Sequence, residues 1–268
     1  MSERVRFQKG RDRFNMKLVI ILLMFVSVIS ILLAIGIGPV SVHPKMVTAI
    51  LFDRIPFLTD VFPKNWTELD EHIVLQLRLP RVLLGMIVGA SLAVCGVTMQ
   101  ALVRNPLADP FILGVSSGAS ATATLGMLFG VFHFLGHYSL AISAFLGAAI
   151  TIIIVYSISR VRGRINITQL LLTGVVTAMI MDAITNIITL QAPNALGLHN
   201  AAFWMSGSLA GAKWGYLQLP FFVMLICMIV LMINYRALNA LLFGEETAGT
   251  LGINVSSMQK LLILIASL

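Results

Sequence analysis

Between Lys17 and Lys45 the chain carries no charged side chain, and Leu18–Ile37 is apolar almost throughout. A hydrocarbon layer of about 30 Å needs roughly 20 apolar residues in a helix that rises about 1.5 Å per residue. A signal peptide has a shorter apolar region and a small-residue cleavage site. Here the run is long and ends in Gly36-Ile37-Gly38-Pro39, so it reads as a retained membrane helix. Five further uncharged or nearly uncharged runs follow: Val82–Val103, Phe111–Phe134, Ser139–Ile158, Ile167–Leu190 with one carboxylate at Asp182, and Leu217–Ile233. After Lys260, Leu261–Leu268 would cover only about 12 Å, so a seventh helix is expected to begin there. The fold class is all-α: a polytopic membrane protein with about six complete transmembrane helices plus the start of a seventh.

Composition agrees. Hydrophobic residues make up 58% of the chain and charged residues 11%, against about 45–50% and about 25% in soluble domains. That excludes a soluble enzyme, a disordered chain and a collagen-like fibre. Cys95 and Cys227 sit alone in apolar runs, which excludes a disulfide scaffold and a cysteine-based metal site. The five histidines are scattered, and the one close pair, His133 and His137, reads as interfacial. No metal site and no cofactor are expected.

Cytoplasmic loops retain excess Lys and Arg. With the N-terminus inside, twelve of the 18 basic residues fall on the cytoplasmic side, among them Arg104, Arg160, Arg162, Arg164, Arg236 and Lys260. Residues 1–17 and 159–166 are then cytoplasmic, and 41–80 and 191–213 face outward. The net charge of +7 is thereby explained by topology, and no nucleic-acid partner is needed. The polar stretch from Ser41 to Arg81 holds four prolines and reads as short surface helices and turns.

Several motifs carry a sharper and a plainer reading. Gly114-Val115-Ser116-Ser117-Gly118 fits the G-x-S-x-G pattern of serine hydrolases, which works on a strained strand-to-helix turn. An intramembrane protease would use Ser116 or Ser117 with His133 or His137. The plainer reading is close helix contact, because small residues recur at a spacing of four in Gly85/Gly89, Gly114/Gly118, Gly126/Gly130 and Gly207/Gly211. Asp182, mid-helix, reads as a buried hydrogen-bonding group paired with Thr185 or Asn186, or as the wall of a water-filled path; a secondary carrier coupled through Asp182 is the alternative. Leu238, Leu241 and Leu242 have helical spacing in a cytoplasmic loop, with Gly244 ending that helix and Glu245 and Glu246 opening the next. An apolar face without lipid to cover it calls for a protein partner.

Leu77–Gly118, LRLPRVLLGMIVGASLAVCGVTMQALVRNPLADPFILGVSSG, resembles the signature region of FecCD-type permeases for iron–siderophore, haem and cobalamin import. Gly244-Glu245-Glu246-Thr247-Ala248 with Leu251-Gly252 is similar to that family's ATPase-coupling loop, and Leu170–Gly174 and Phe203–Ser208 also match. Members have about ten helices, so the permease domain, residues 18–268 after a cytoplasmic tail of residues 1–17, is expected to be C-terminally incomplete.

The resemblance implies a permease subunit of a binding-protein-dependent ABC importer. The permease is itself not an enzyme and sits in the cell membrane. Its implied partners are a second permease subunit, two cytoplasmic ATPase subunits, an extracytoplasmic substrate-binding lipoprotein and the lipid bilayer. Importers of catecholate and hydroxamate siderophores, haem and cobalamin share these motifs, and ferric siderophore is the favoured cargo because it is the commonest in the family. Arg78 and Arg81 would meet glutamates of the binding protein at the outer end of their helix. Leu238, Leu241, Leu242, Gly244, Glu245 and Glu246 would dock the ATPase, and Asn166, Ile167 and Thr168 would form the cytoplasmic gate.

Overall fold

The computed structural model describes residues 2–55, 57, 63–161 and 164–268. Twelve helices appear among them: α1 (Ser2–Gly36), α2 (Pro44–Asp53), α3 (Glu68–His72), α4 (Leu79–Val103), α5 (Val115–Phe129), α6 (Ser139–Ser159), α7 (Ile167–Leu190), α8 (Ala195–Met205), α9 (Trp214–Ile233), α10 (Tyr235–Leu242), α11 (Glu245–Thr250) and α12 (Val255–Ser267). Five helical stretches are long and apolar enough to cross a bilayer: Met16–Gly36, Glu68–Val103, Ser139–Ser159, Ile167–Leu190 and Trp214–Ile233. The expected span Phe111–Phe134 is shorter than its apolar run. Its α-helix is Val115–Phe129, flanked by 3-10 turns at Pro110–Leu113 and His133–Tyr138. Left-handed glycines at 114 and 130 bracket it, and an α-helix cannot continue through that conformation.

The chain forms two compact units. One comprises residues 1–86 and 209–218. In it, α2 starts on Pro44 with the His43 side chain accepting the Lys45 N–H, and it buries Val47 and Ile50 together with Ile35, Val42 and Val74. The capping box of α3 pairs Thr67 with Asp70. Between α3 and α4, Ile73–Arg78 forms a π-helical turn in which the Leu79 N–H reaches back to the Val74 carbonyl. Pro80 lacks an N–H and crowds the preceding turn, and a widened turn is one way a helix accepts it. The sequence placed short surface helices and turns throughout this region, whereas helix is continuous from Glu68 to Val103.

The other unit comprises residues 87–208 and 219–268. Its α5 and α6 touch backbone to backbone where Gly118 meets Gly147: a Cβ on either would collide with the other's carbonyl and with Thr151 or Thr122. The Thr122 hydroxyl donates across the contact to the Ser143 carbonyl at 2.7 Å. Of the sequence-spaced glycines, Gly118 earns its place this way, whereas Gly89, Gly130 and Gly211 face open space. Met99, Leu113, Val155, Leu170 and Leu262 form the buried centre of the core. A two-residue antiparallel ladder, β1 (Arg160–Val161) with β2 (Arg164–Ile165), turns the chain from α6 into α7. Helix α12, capped by Asn254, begins before the apolar run that announced it and buries Met258, Gln259 and Ile263. Helix α8 falls in a segment read from the sequence only as an outward loop.

Candidate functional site

The two arginines expected to share a role are in opposite environments. Arg78 is only 8% exposed. Its Nη1 donates to the Ile35 and Gly36 carbonyls at 2.7 and 2.9 Å, and its Nη2 to the Val40 carbonyl. The last turn of a helix has carbonyls with no intrahelical partner, and a guanidinium offers five donors in a fixed fork. Arg78 therefore caps α1. The expectation that it faces solvent is corrected: the π-helical turn directs it inward, toward those carbonyls. Arg81, three residues on, is exposed, with Nη2 donating to the Ala210 carbonyl at 3.2 Å.

The α10–α11 loop divides similarly. Leu238 and Leu241 are buried, Leu241 to 3% exposure, while Leu242 is exposed and Phe243 is 79% exposed. The expectation that all three leucines present one outward face is corrected. The inward face of α10 turns through Leu238 and Leu241, and Leu242 ends the helix at the margin of that face. Glu245 is bound within the chain: its Oε1 lies 3.5 Å from Arg104 Nη2 and accepts from Gln259 Nε2 at 3.2 Å. Glu246 is exposed. Sequence reasoning missed Phe243 and Leu251 as outward apolar residues, and Arg104 and Gln259 as partners of Glu245. No local pattern marks a contact across 141 residues.

At the start of α7, Asn166 caps the helix, its Oδ1 accepting the Gln169 N–H at 3.0 Å. Ile167 packs against the core, and Thr168 is exposed. From Thr168 an exposed seam runs up α7 through Leu172, Val175, Met179, Asp182 and Asn186, at alternating spacings of four and three. The buried hydrogen bond expected for Asp182 is corrected. Its carboxylate lies on the exposed seam, and the Thr185 hydroxyl donates to the Met181 carbonyl at 2.9 Å. The Ser116 and Ser117 motif opens α5 after a 3-10 turn, which lacks the strand that a nucleophile elbow needs. His133 lies in the turn beyond the far end of that helix. Among the described residues, no group of three His, Cys, Asp or Glu could hold a metal ion.

Five helices long and apolar enough to cross a bilayer, among the described residues, define a multi-pass helical membrane protein. A model of the FecCD transport family matches residues 23–268, and the chain belongs to that family. It is 40% identical over 200 residues to the uncharacterized ABC transporter permease protein YvrB of Bacillus subtilis, covering 73% of this chain and 55% of that protein. It is 38% identical over 199 residues to HmuU, a hemin transport system permease protein of Yersinia pestis, covering 74% and 59%. A solved structure described as a metal-chelate type ABC transporter in an inward-facing conformation matches 93% of this chain and 72% of its own, with TM-score 0.77 and 27% identity. The chain thus spans between half and two thirds of the length of these curated relatives.

Proposed function

We propose that this chain is the membrane-spanning permease subunit of a binding-protein-dependent ABC importer that takes up a metal chelate, ferric siderophore in particular, with ATP hydrolysed by a separate cytoplasmic subunit. The observation that carries the reading is the α10–α11 loop. It is anchored into the core by Leu238 and Leu241 and presents Leu242, Phe243 and Glu246 outward. An apolar edge with a carboxylate beside it, on a segment between membrane helices, suits a protein partner. The curated relatives support the importer part of the reading, since their names assign cobalamin, hemin and molybdate import to those proteins.

On this reading the N-terminus is cytoplasmic, Arg81 faces the binding protein, and the α7 seam lines a path completed by a second permease subunit. A carboxylate facing lipid is costly, so Asp182 and Asn186 favour water on that seam. Thr168 and Asn166 stand at its cytoplasmic end. ATP binding to the partner shifts the population between outward- and inward-open packings.

Uptake of a ferric catecholate, a ferric hydroxamate, haem and cobalamin is to be measured with an active or a catalytically dead partner ATPase. The expected result is uptake of a ferric siderophore that disappears with the dead ATPase. Uptake that persists with the dead ATPase and is lost in Asp182→Asn would establish a secondary carrier instead.

A further inference from the structure

Helix α4 ends in a six-residue closure in which the Asn105 N–H reaches the Gln100 carbonyl at 3.3 Å, leaving Arg104 left-handed at φ 57°. Glycine is the usual residue there, because a Cβ is disfavoured in that conformation. Arg104 is the one residue with a side chain at positive φ among the described residues. The segment after it is held firmly: Gln100 Nε2 donates to the Pro106 carbonyl at 3.1 Å, and Asn105 Oδ1 accepts the Leu107 N–H at 2.9 Å. What the strained position delivers is the Arg104 guanidinium, directed at Glu245 across 3.5 Å.

Glu245 opens α11 directly after Gly244, whose φ of 111° makes it the natural joint between the two loop helices. The same Glu245 oxygen accepts from Gln259, a buried residue of α12. One carboxylate oxygen therefore ties the joint to the ends of two core helices. Without that tie, a load on Leu242 and Phe243 would bend the loop at Gly244 and be absorbed there.

We infer that Arg104, Glu245 and Gln259 form an internal strut that carries movement of the α10–α11 loop into α4 and α12. Arg104 and Gln259 are positioning residues that act through Glu245, and Glu246 is left to meet the partner. The inference rests on the permease reading above and assigns Glu245 a place inside the permease rather than on the ATPase interface.

The test uses the assembled permease–ATPase complex in proteoliposomes, with Cys95 and Cys227 replaced by Ala and Thr168→Cys as reporter. The readouts are retained ATPase and the ATP-dependent change in maleimide labelling at that reporter. Arg104→Gly suits the left-handed backbone, so it removes the guanidinium without refolding the turn. The expected result is that R104G and E245Q keep the ATPase bound but reduce the ATP-dependent change at least tenfold. The charge swap R104E/E245R is expected to recover most of it. A full ATP-dependent change in R104G, or release of the ATPase by E245Q, would overturn the strut. A wild-type complex that binds no ATPase would overturn the permease reading with it.

Discussion

The Arg78 guanidinium occupies the space that a side chain at residue 38 would need: a Cβ on Gly38 would lie 2.6 Å from Arg78 Nη2 and 2.9 Å from Cζ. The glycine and the arginine are thus one device, which closes the end of α1 against the π-helical turn before α4.

Arg78→Ala should destabilise the protein by roughly 2–4 kcal/mol, because it strips three carbonyls, two of them buried, of a charged donor. Gly38→Ala should cost less, about 1–2 kcal/mol, by pushing the guanidinium off its carbonyls. The double variant should be clearly less harmful than the two losses added, since both break the same contact. Thermal unfolding of the detergent-solubilised variants measures this cycle. Strict additivity would separate the two residues.

Arg81 is the exposed cation of the pair, so Arg81→Glu should leave the melting temperature nearly unchanged. On the proposed importer reading, affinity for a purified binding protein should fall by about 1–3 kcal/mol, with a weaker dependence on salt. Titration of the binding protein onto nanodisc-embedded permease is the measurement. Equal affinity in wild type and R81E would remove Arg81 from the docking surface.

The leucines of α10 should separate into two classes. Leu241→Ala, at a buried site, should cost about 2–4 kcal/mol of stability. The pair Leu242→Ser and Phe243→Ser, both exposed, should leave unfolding unchanged and, on the proposed importer reading, release the ATPase from the purified complex. Unfolding curves and co-purification yields distinguish the classes. Full ATPase yield from the Leu242/Phe243 double variant would place the docking surface elsewhere.

Cysteines introduced at Asn65 and Arg160 should react with an impermeant maleimide from opposite sides of the membrane, in a background lacking Cys95 and Cys227. Both positions are exposed, and the proposed topology, with the N-terminus inside, puts Asn65 outside and Arg160 inside. Labelling of both in intact cells would reverse part of that topology.

Chain-local physics was legible in the residues. The run Ile167–Leu190 gives α7 with the same bounds, and Ser139–Ile158 falls one residue short of α6, because apolar length alone decides whether a helix can cross a bilayer. The family resemblance also followed from contiguous motifs, which the match over residues 23–268 bears out. Tertiary structure decided which way the candidate side chains point. Arg78 and Arg81 look alike in sequence, yet one is consumed by carbonyls some forty residues away and the other is exposed. Leu241 and Leu242 differ in the same way, and Glu245 is joined to Arg104 and Gln259 only because α4, α11 and α12 converge. Periodicity tells which residues share a helix face. Which neighbour covers that face, and which unpaired carbonyl or carboxylate waits there, is set by contacts between segments far apart in the chain.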